Sequence, residues 1–526
     1  MPGWLAFAGL LGVIMVALGG LLAEAPALDI WQVLTEGDLL RIVRNTLWQA
    51  FLSTLVSILL AIPFARALAR RTGFPGRQLL VRLSSISLVI PTMVAVLGMA
   101  AVHGRNGWLN HLLAKLGVSE PYSVYGLSGI LLAHVFFNLP LATRVFLGTL
   151  ESLPGETWRL ASHLGLGPAQ LFRQIEWPLI RSVIPGIAGL IFMLCFTSFA
   201  IVLALGGGPK WSTLEVAIYQ AIRFEFDIAA GVVLAFMQIA ICLLLVLGFA
   251  GMRREFSFQN TQHKALPRPD TGHPVARAID ITVILLLSTF LLTPLLAVVL
   301  KSLTPALLRV VRDPAFASAL YSSLLISLSA ALLALLISLP VAFLYKNLLQ
   351  ARAYRLSTLL ELGNTLILVV PPLTLGMGLF LVLRTHFNVF ELGLYLVILI
   401  NGLLAVPFLL RVLQPAVIST AQQVDRLSLS LGIGGWTLLR LIYWPRLRKP
   451  VGLALALAAT LSLGDMGVIA LFGTQDLATL PLLIYRLFGA YRMQEAAVVA
   501  MLLCLLCFLL FWMVERIIGG KNPESA

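Results

Sequence analysis

The chain has 526 residues, of which 59% are hydrophobic and 11% charged, with a mean hydropathy of +0.96 and a formal net charge of +14. So much apolar surface needs hydrocarbon around it, which excludes an ordinary soluble domain. The basic residues are scattered over many loops without a single stripe or interleaved aromatics, so the charge is a signal of membrane topology and not of nucleic-acid binding.

Apolar stretches able to cross roughly 30 Å of hydrocarbon, about 20 helical residues each, begin near residues 4, 45, 79, 127, 182, 229, 279, 318, 357, 392, 449 and 496. The expected fold class is an all-α polytopic membrane protein with about twelve transmembrane helices. Near the start, Ala23-Glu24-Ala25 has the look of a signal-peptidase site. The run from Trp4 to Leu22 is longer than a signal-peptide core and no positive charge precedes it, so a retained first span is expected. With the N-terminus placed in the cytoplasm, 25 of the 37 basic residues fall on cytoplasmic segments, and both termini lie inside. Between Arg253 and Arg277 the chain turns polar and carries Pro267, Pro269 and Pro274. This reads as an irregular cytoplasmic linker, residues 253–278, between a first half (1–252) and a second half (279–526) of about six spans each. Both halves then begin on the same side, giving two direct six-helix repeats and not an inverted pair.

One polar segment occurs twice, 267 residues apart. Arg159-Leu160, Leu164-Gly165, Gly167, Leu171, Arg173, Ile175, Trp177-Pro178 and Arg181 recur as Arg426-Leu427, Leu431-Gly432, Gly434, Leu438, Arg440, Ile442, Trp444-Pro445 and Arg448. Pro140 and Arg144 match Pro407 and Arg411 at the same offset, and Pro63, Pro91 and Gly98 match Pro340, Pro371 and Gly378 at slightly different ones. Each polar copy, about 151–178 and 418–445, reads as a short amphipathic helix (Glu156 to Leu164; Val424 to Leu431) stopped by a left-handed glycine. In the first copy Pro168 suits the first turn of a second helix. Pro178 and Pro445 are expected to close the segments and open the next spans. Leu160 and Leu164, like Leu427 and Leu431, share one side of a helix at i and i+4. A duplicated cytoplasmic segment suits a two-fold symmetric soluble partner.

The spacing from Gly165 through nine residues to Ile175-Glu176-Trp177-Pro178, kept from Gly432 to Ile442-Tyr443-Trp444-Pro445, resembles the signature loop of the integral-membrane permeases of bacterial ABC importers. That loop runs E-A-A, three residues, G, nine residues, I-x-L-P. Here Arg159-Leu160-Ala161 and Arg426-Leu427-Ser428 stand where the family has E-A-A, and tryptophan where it usually has leucine. Fused permease halves are characteristic of the systems for thiamine and for ferric iron. Segments such as Gly129 to Pro140, Leu205 to Pro209 and Leu463 to Gly473 are most similar to the thiamine permeases.

The resemblance implies a MetI-like permease fold in the bacterial inner membrane and import of thiamine and its phosphate esters by alternating access. It also implies two copies of a cytoplasmic ABC ATPase and a periplasmic thiamine-binding protein as partners. ATP and magnesium would be used by the ATPase and no cofactor by this chain. The loops would be coupling helices, with Arg159, Leu160, Ala161, Leu164 and Gly165 and their counterparts Arg426, Leu427, Ser428, Leu431 and Gly432 facing the ATPase.

No phosphate-binding G-x-x-x-x-G-K-[ST] sequence is present, and no nucleophile, general base or metal-ligand set stands out among the scattered histidines. Catalysis by this chain is not expected. Cys195, Cys242, Cys504 and Cys507 read as small apolar filler. Asp465 is the one acid that falls inside an expected span, a candidate for the substrate pathway beside Gly464 and Gly467, with Ser198 its first-half equivalent. Gly206-Gly207-Gly208-Pro209 reads as a turn. A ferric-iron permease of the same fused form and a twelve-span secondary transporter are the alternative readings.

Overall fold

A computed structural model describes residues 2–24, 38–86, 89–118, 121–250 and 268–519. Most of the expected linker lies outside the described residues. In chain order the helices are α1 (Pro2–Glu24), α2 (Asp38–Arg70), α3 (Arg77–Ile86), α4 (Thr92–His103), α5 (Trp108–Lys115), α6 (Leu127–Glu151), α7 (Gly155–His163) and α8 (Pro168–Leu171). They continue as α9 (Trp177–Phe196), α10 (Ala200–Leu205), α11 (Leu214–Gln220), α12 (Ile228–Ala250), α13 (Pro274–Ser302), α14 (Ala306–Arg312), α15 (Pro314–Gln350) and α16 (Tyr354–Val369). The remainder are α17 (Pro372–Leu383), α18 (Gly393–Ser430), α19 (Gly435–Leu438), α20 (Trp444–Gly464), α21 (Gly467–Phe472), α22 (Leu480–Gly489) and α23 (Met493–Gly519).

Among the described residues, ten helices are long and apolar enough to cross a membrane. The two expected spans beginning near 79 and 357 are instead pairs of shorter helices, and the break falls at a matched proline each time. Pro91 precedes α4 and Pro371 precedes α17, both with extended backbone (ψ 140° and 155°). Proline donates no N–H and disfavours helical backbone in the residue before it, so a run that is continuous in hydropathy is interrupted in structure.

The same packing recurs on either side of the linker. α2 packs on α6 and α9, and α15 packs on α18 and α20. The opening helices cross over: α1 packs on α15 and α17, whereas α13 packs on α2 and α4. The paired glycines permit these crossings. A Cβ on Gly98 would lie 2.6 Å from the Pro294 carbonyl oxygen of α13, and one on Gly378 only 2.2 Å from that of Ala17 in α1. Leu10, Ile14, Ala17 and Leu21 of α1 are buried in the shared core. The first span is therefore an integral part of the packing.

Candidate functional site: the paired polar loops

The first copy follows a break that the second lacks. Leu153-Pro154 ends α6, because the pre-proline residue resists helical backbone, and α7 then begins at Gly155. At the corresponding place, 267 residues on, stands Ala421, and α18 runs unbroken through Val424 to Ser430. The expected separate helix from Val424 to Leu431 is thus the tail of a 38-residue helix.

Beyond these helices the copies converge. Gly165 and Gly432 have φ of +64° and +66°, the left-handed conformation that glycine adopts without a Cβ clash. Pro178 and Pro445 stand in the first turns of α9 and α20 and so open the next helices as expected, but no break separates those helices from the loops. A π-helical turn, Phe172–Glu176 in one copy and Leu439–Tyr443 in the other, precedes each Trp-Pro pair and carries the chain straight into α9 or α20. The wider turn relieves the clash between a proline ring and the carbonyl four residues before it.

Side chains divide the same way in both copies. Ala161 and Ser428 face inward at 1% and 2% exposure. Leu160, Leu164, Leu427 and Leu431 are 59–65% exposed, and Arg159, Arg426, Gly165 and Gly432 are exposed beside them. The structure thus brings each set of five sequence-selected residues together on one surface, with Ala161 and Ser428 as its floor.

Beneath the surfaces the two copies use swapped chemistry. In the first, Trp158 lies on α7 and Glu176 on the π turn, both buried, with the Arg268 guanidinium 4.3 Å above the indole and bonded to Glu176. In the second, the equivalent of Trp158 is Asp425 and the equivalent of Glu176 is Tyr443. The Tyr443 hydroxyl donates to Asp425 at 2.6 Å, and Lys346 pairs with Asp425 at 3.1 Å. Likewise Arg66, 2.6 Å from Glu176, is replaced at the matching place by Phe343, whose ring meets Tyr443 at 5.2 Å.

The first copy is further tied to the start of α13. Arg268 and Arg70 both reach Asp270, and Arg70 and Arg71 both reach Asp280, at 2.7–3.2 Å. The end of the expected irregular linker is therefore ordered: Pro269–Gly272 forms a 3-10 turn packed on α7. Burial opposes the charge on Asp270, but Arg268 and Arg70 outweigh it and hold its carboxyl below the usual carboxylate range. Burial likewise opposes the charge on Arg268, yet Glu176 and Asp270 hold it above its ordinary value.

Asp465 and Ser198 occupy equivalent helix breaks, between α20 and α21 and between α9 and α10. Asp465 is partly buried and caps α21, accepting from the N–H groups of Gly467 and Val468 at 3.3 Å each. The close crossing expected at Gly464 is present, since a Cβ there would lie 3.3 Å from Pro91 Cα. Gly467 has ordinary contacts only. The Gly206 run is a turn, with Gly207 and Gly208 at φ +72° and +94°. Sequence reasoning missed a further buried acid: Glu215 on α11 is 1% exposed. Its helix has seven residues, too few to register as a span.

Residues 42–254 match the family described as binding-protein-dependent transport system inner membrane component, and the chain belongs to that family of transport permeases. Nearly its whole length is similar to the thiamine transport system permease protein ThiP of Brucella abortus (strain 2308). The two are 43% identical over 522 residues, 98% of this chain and 94% of that protein. The protein of the same name from Escherichia coli (strain K12) is 42% identical over 530 residues, covering 100% of this chain and 98% of its own. The sulfate transport system permease protein CysT of Salmonella typhimurium is 28% identical over 235 residues, 44% of this chain and 83% of that protein. The resemblance to thiamine permeases thus holds along the full length. Family membership replaces the secondary-transporter reading, and the ferric-iron alternative finds no support in these relatives.

Proposed function

We propose that the chain is the membrane permease of an ATP-driven importer for thiamine and its phosphate esters, seated in the bacterial inner membrane with both termini cytoplasmic. The observation that carries this reading is the 43% identity to a thiamine permease over 98% of the chain. A separate periplasmic thiamine-binding protein delivers the substrate, and two copies of a cytoplasmic ATPase, which binds ATP and magnesium, supply the energy. Each exposed loop surface receives one ATPase protomer. Leu160 and Leu164, or Leu427 and Leu431, enter the contact with Arg159 or Arg426 at its edge, and Ala161 or Ser428 anchors the loop from below. The π turns and their buried pairs transmit the movement into α9 and α20, whose broken ends at Ser198 and Asp465 border the substrate route.

The experiment is reconstitution with candidate ATPase and binding proteins, scoring ATPase stimulation by thiamine, thiamine diphosphate and ferric complexes. Stimulation by the thiamine compounds alone is expected, and stimulation by ferric complexes alone contradicts the reading.

A further inference from the structure

Where the helices before the linker meet those after it, buried oxygen acceptors gather, and among the described residues no ion pair is formed by Glu215. Glu215 Oε1 accepts from Gln238 Nε2 of α12 at 2.8 Å, and Gln238 in turn accepts from the Thr374 hydroxyl of α17 at 3.1 Å. Glu215 Oε2 is buried and has no partner. The charge of Asp465 bears on Glu215, while those of Arg223 and Arg486 bear on Tyr219 one turn further on. Asn401 of α18 reaches Asp465, donates to the Ser462 hydroxyl at 3.1 Å, and leaves its own Oδ1 buried and unpartnered. A carboxylate shut away from water without a cation is costly unless a proton or a cation neutralises it.

Aromatic rings adjoin these acceptors. Tyr219 stands one turn beyond Glu215 on α11, and its ring meets Phe199 edge-on with centroids 5.2 Å apart. Phe199 follows Ser198 and touches the space beside Gly467, in the same break that Asp465 caps. Acceptors that want positive charge, next to ring faces that attract cations, fit one class of ligand. The hydrogen-bond chain through Gln238 and Thr374 fixes the Glu215 carboxylate in place across both sets of helices.

We propose that Glu215, with Asp465 and the Phe199–Tyr219 ring pair, forms a transit site for an aromatic organic cation at the junction of the two helix sets. The assignment rests on the thiamine reading above, since the thiazolium ring of thiamine is such a cation. In the structure Glu215, Phe199 and Tyr219 are buried and Asp465 is partly so. When the helix sets part, Glu215 meets the ring on its way through and compensates for the hydration that the ring gives up.

The test uses the complete reconstituted importer and two substrates delivered by one binding protein: thiamine and 3-deazathiamine, whose ring is neutral. Wild type is expected to move thiamine faster. Glu215→Gln should lower the thiamine-to-deazathiamine transport ratio on the order of 30-fold, the scale of one buried charge contact. Glu215→Asp, which keeps the charge, should retain most of the ratio. An unchanged ratio in Glu215→Gln, or equal losses in both variants, overturns the assignment. Should Glu215→Gln not reach the membrane, Asp465→Asn carries the same comparison, and an unchanged ratio there is equally fatal. Wild-type vesicles that accumulate no thiamine overturn the thiamine reading itself and this site with it.

Discussion

Replacing Glu176 with glutamine removes one charge and almost no volume from the cluster under the first loop. The cluster holds three acids, Glu176, Asp270 and Asp280, against four arginines, Arg66, Arg70, Arg71 and Arg268. Glu176→Gln leaves two acids facing four arginines. Breaking a buried pair costs about 3–5 kcal/mol. The Arg66 side chain is 21% exposed, so water takes up part of its charge and the lower figure, about 3 kcal/mol, applies. At about 2–4 °C per kcal/mol for a unit of 150–250 residues, the detergent-solubilised protein should melt roughly 6–12 °C lower. The second half supplies the rescue. There the same contact is made by Phe343 and Tyr443, so Arg66→Phe with Glu176→Tyr restores the original excess of one arginine and replaces an ion pair by a ring contact. Buried pairs often tolerate such an exchange, and the double variant should recover more than half of the loss. Scanning fluorimetry of the wild type, both single variants and the double variant closes the cycle. A Glu176→Gln protein that melts with the wild type, or a double variant no better than Glu176→Gln, would refute the argument.

Leu160→Glu and Leu427→Glu change exposed side chains, so each should alter stability by less than about 0.5 kcal/mol yet abolish thiamine-stimulated ATPase activity. Normal stimulation in both would remove the leucines from the docking surface. Gly98→Ala and Gly378→Ala each press a Cβ into backbone at 2.6 and 2.2 Å. They should destabilise by about 1–3 kcal/mol, with Gly378→Ala the worse in a thermal melt. Asp270 contributes pH-dependent stability of known sign: its folded value lies below the ordinary 3.8, so its contribution is complete above 3.8 and is lost as the pH falls through that lower value. The melting difference between wild type and Asp270→Asn should therefore be equal at pH 7 and pH 5, and a difference that vanishes by pH 5 would contradict the assignment.

Particular residues show what could be read from the sequence. Gly165 and Gly432 were legible because a left-handed stop all but requires glycine, and their spacing to Trp177-Pro178 and Trp444-Pro445 gave the family. The breaks at Pro91 and Pro371 were hidden because apolar residues continue on both sides and hydropathy does not register a backbone interruption. Pro154 opposite Ala421 was the signal that the loops start differently, but it is a single difference within a well-matched repeat. Trp158 opposite Asp425 and Glu176 opposite Tyr443 look like two mismatches in an alignment. Only their contact across the loop makes them one exchange of acid for ring. Glu215 was hidden by local context, since a seven-residue helix beyond a glycine turn reads as an outer loop until tertiary packing buries it.

The central claim is that the two loops are paired docking sites on one chain, and counting the partners tests it most directly. Native mass spectrometry of the purified permease with its ATPase should give one permease carrying two ATPase chains. Leu160→Glu with Leu427→Glu should give the permease alone. A wild-type complex with a single ATPase chain, or two chains retained by the double variant, would contradict the account.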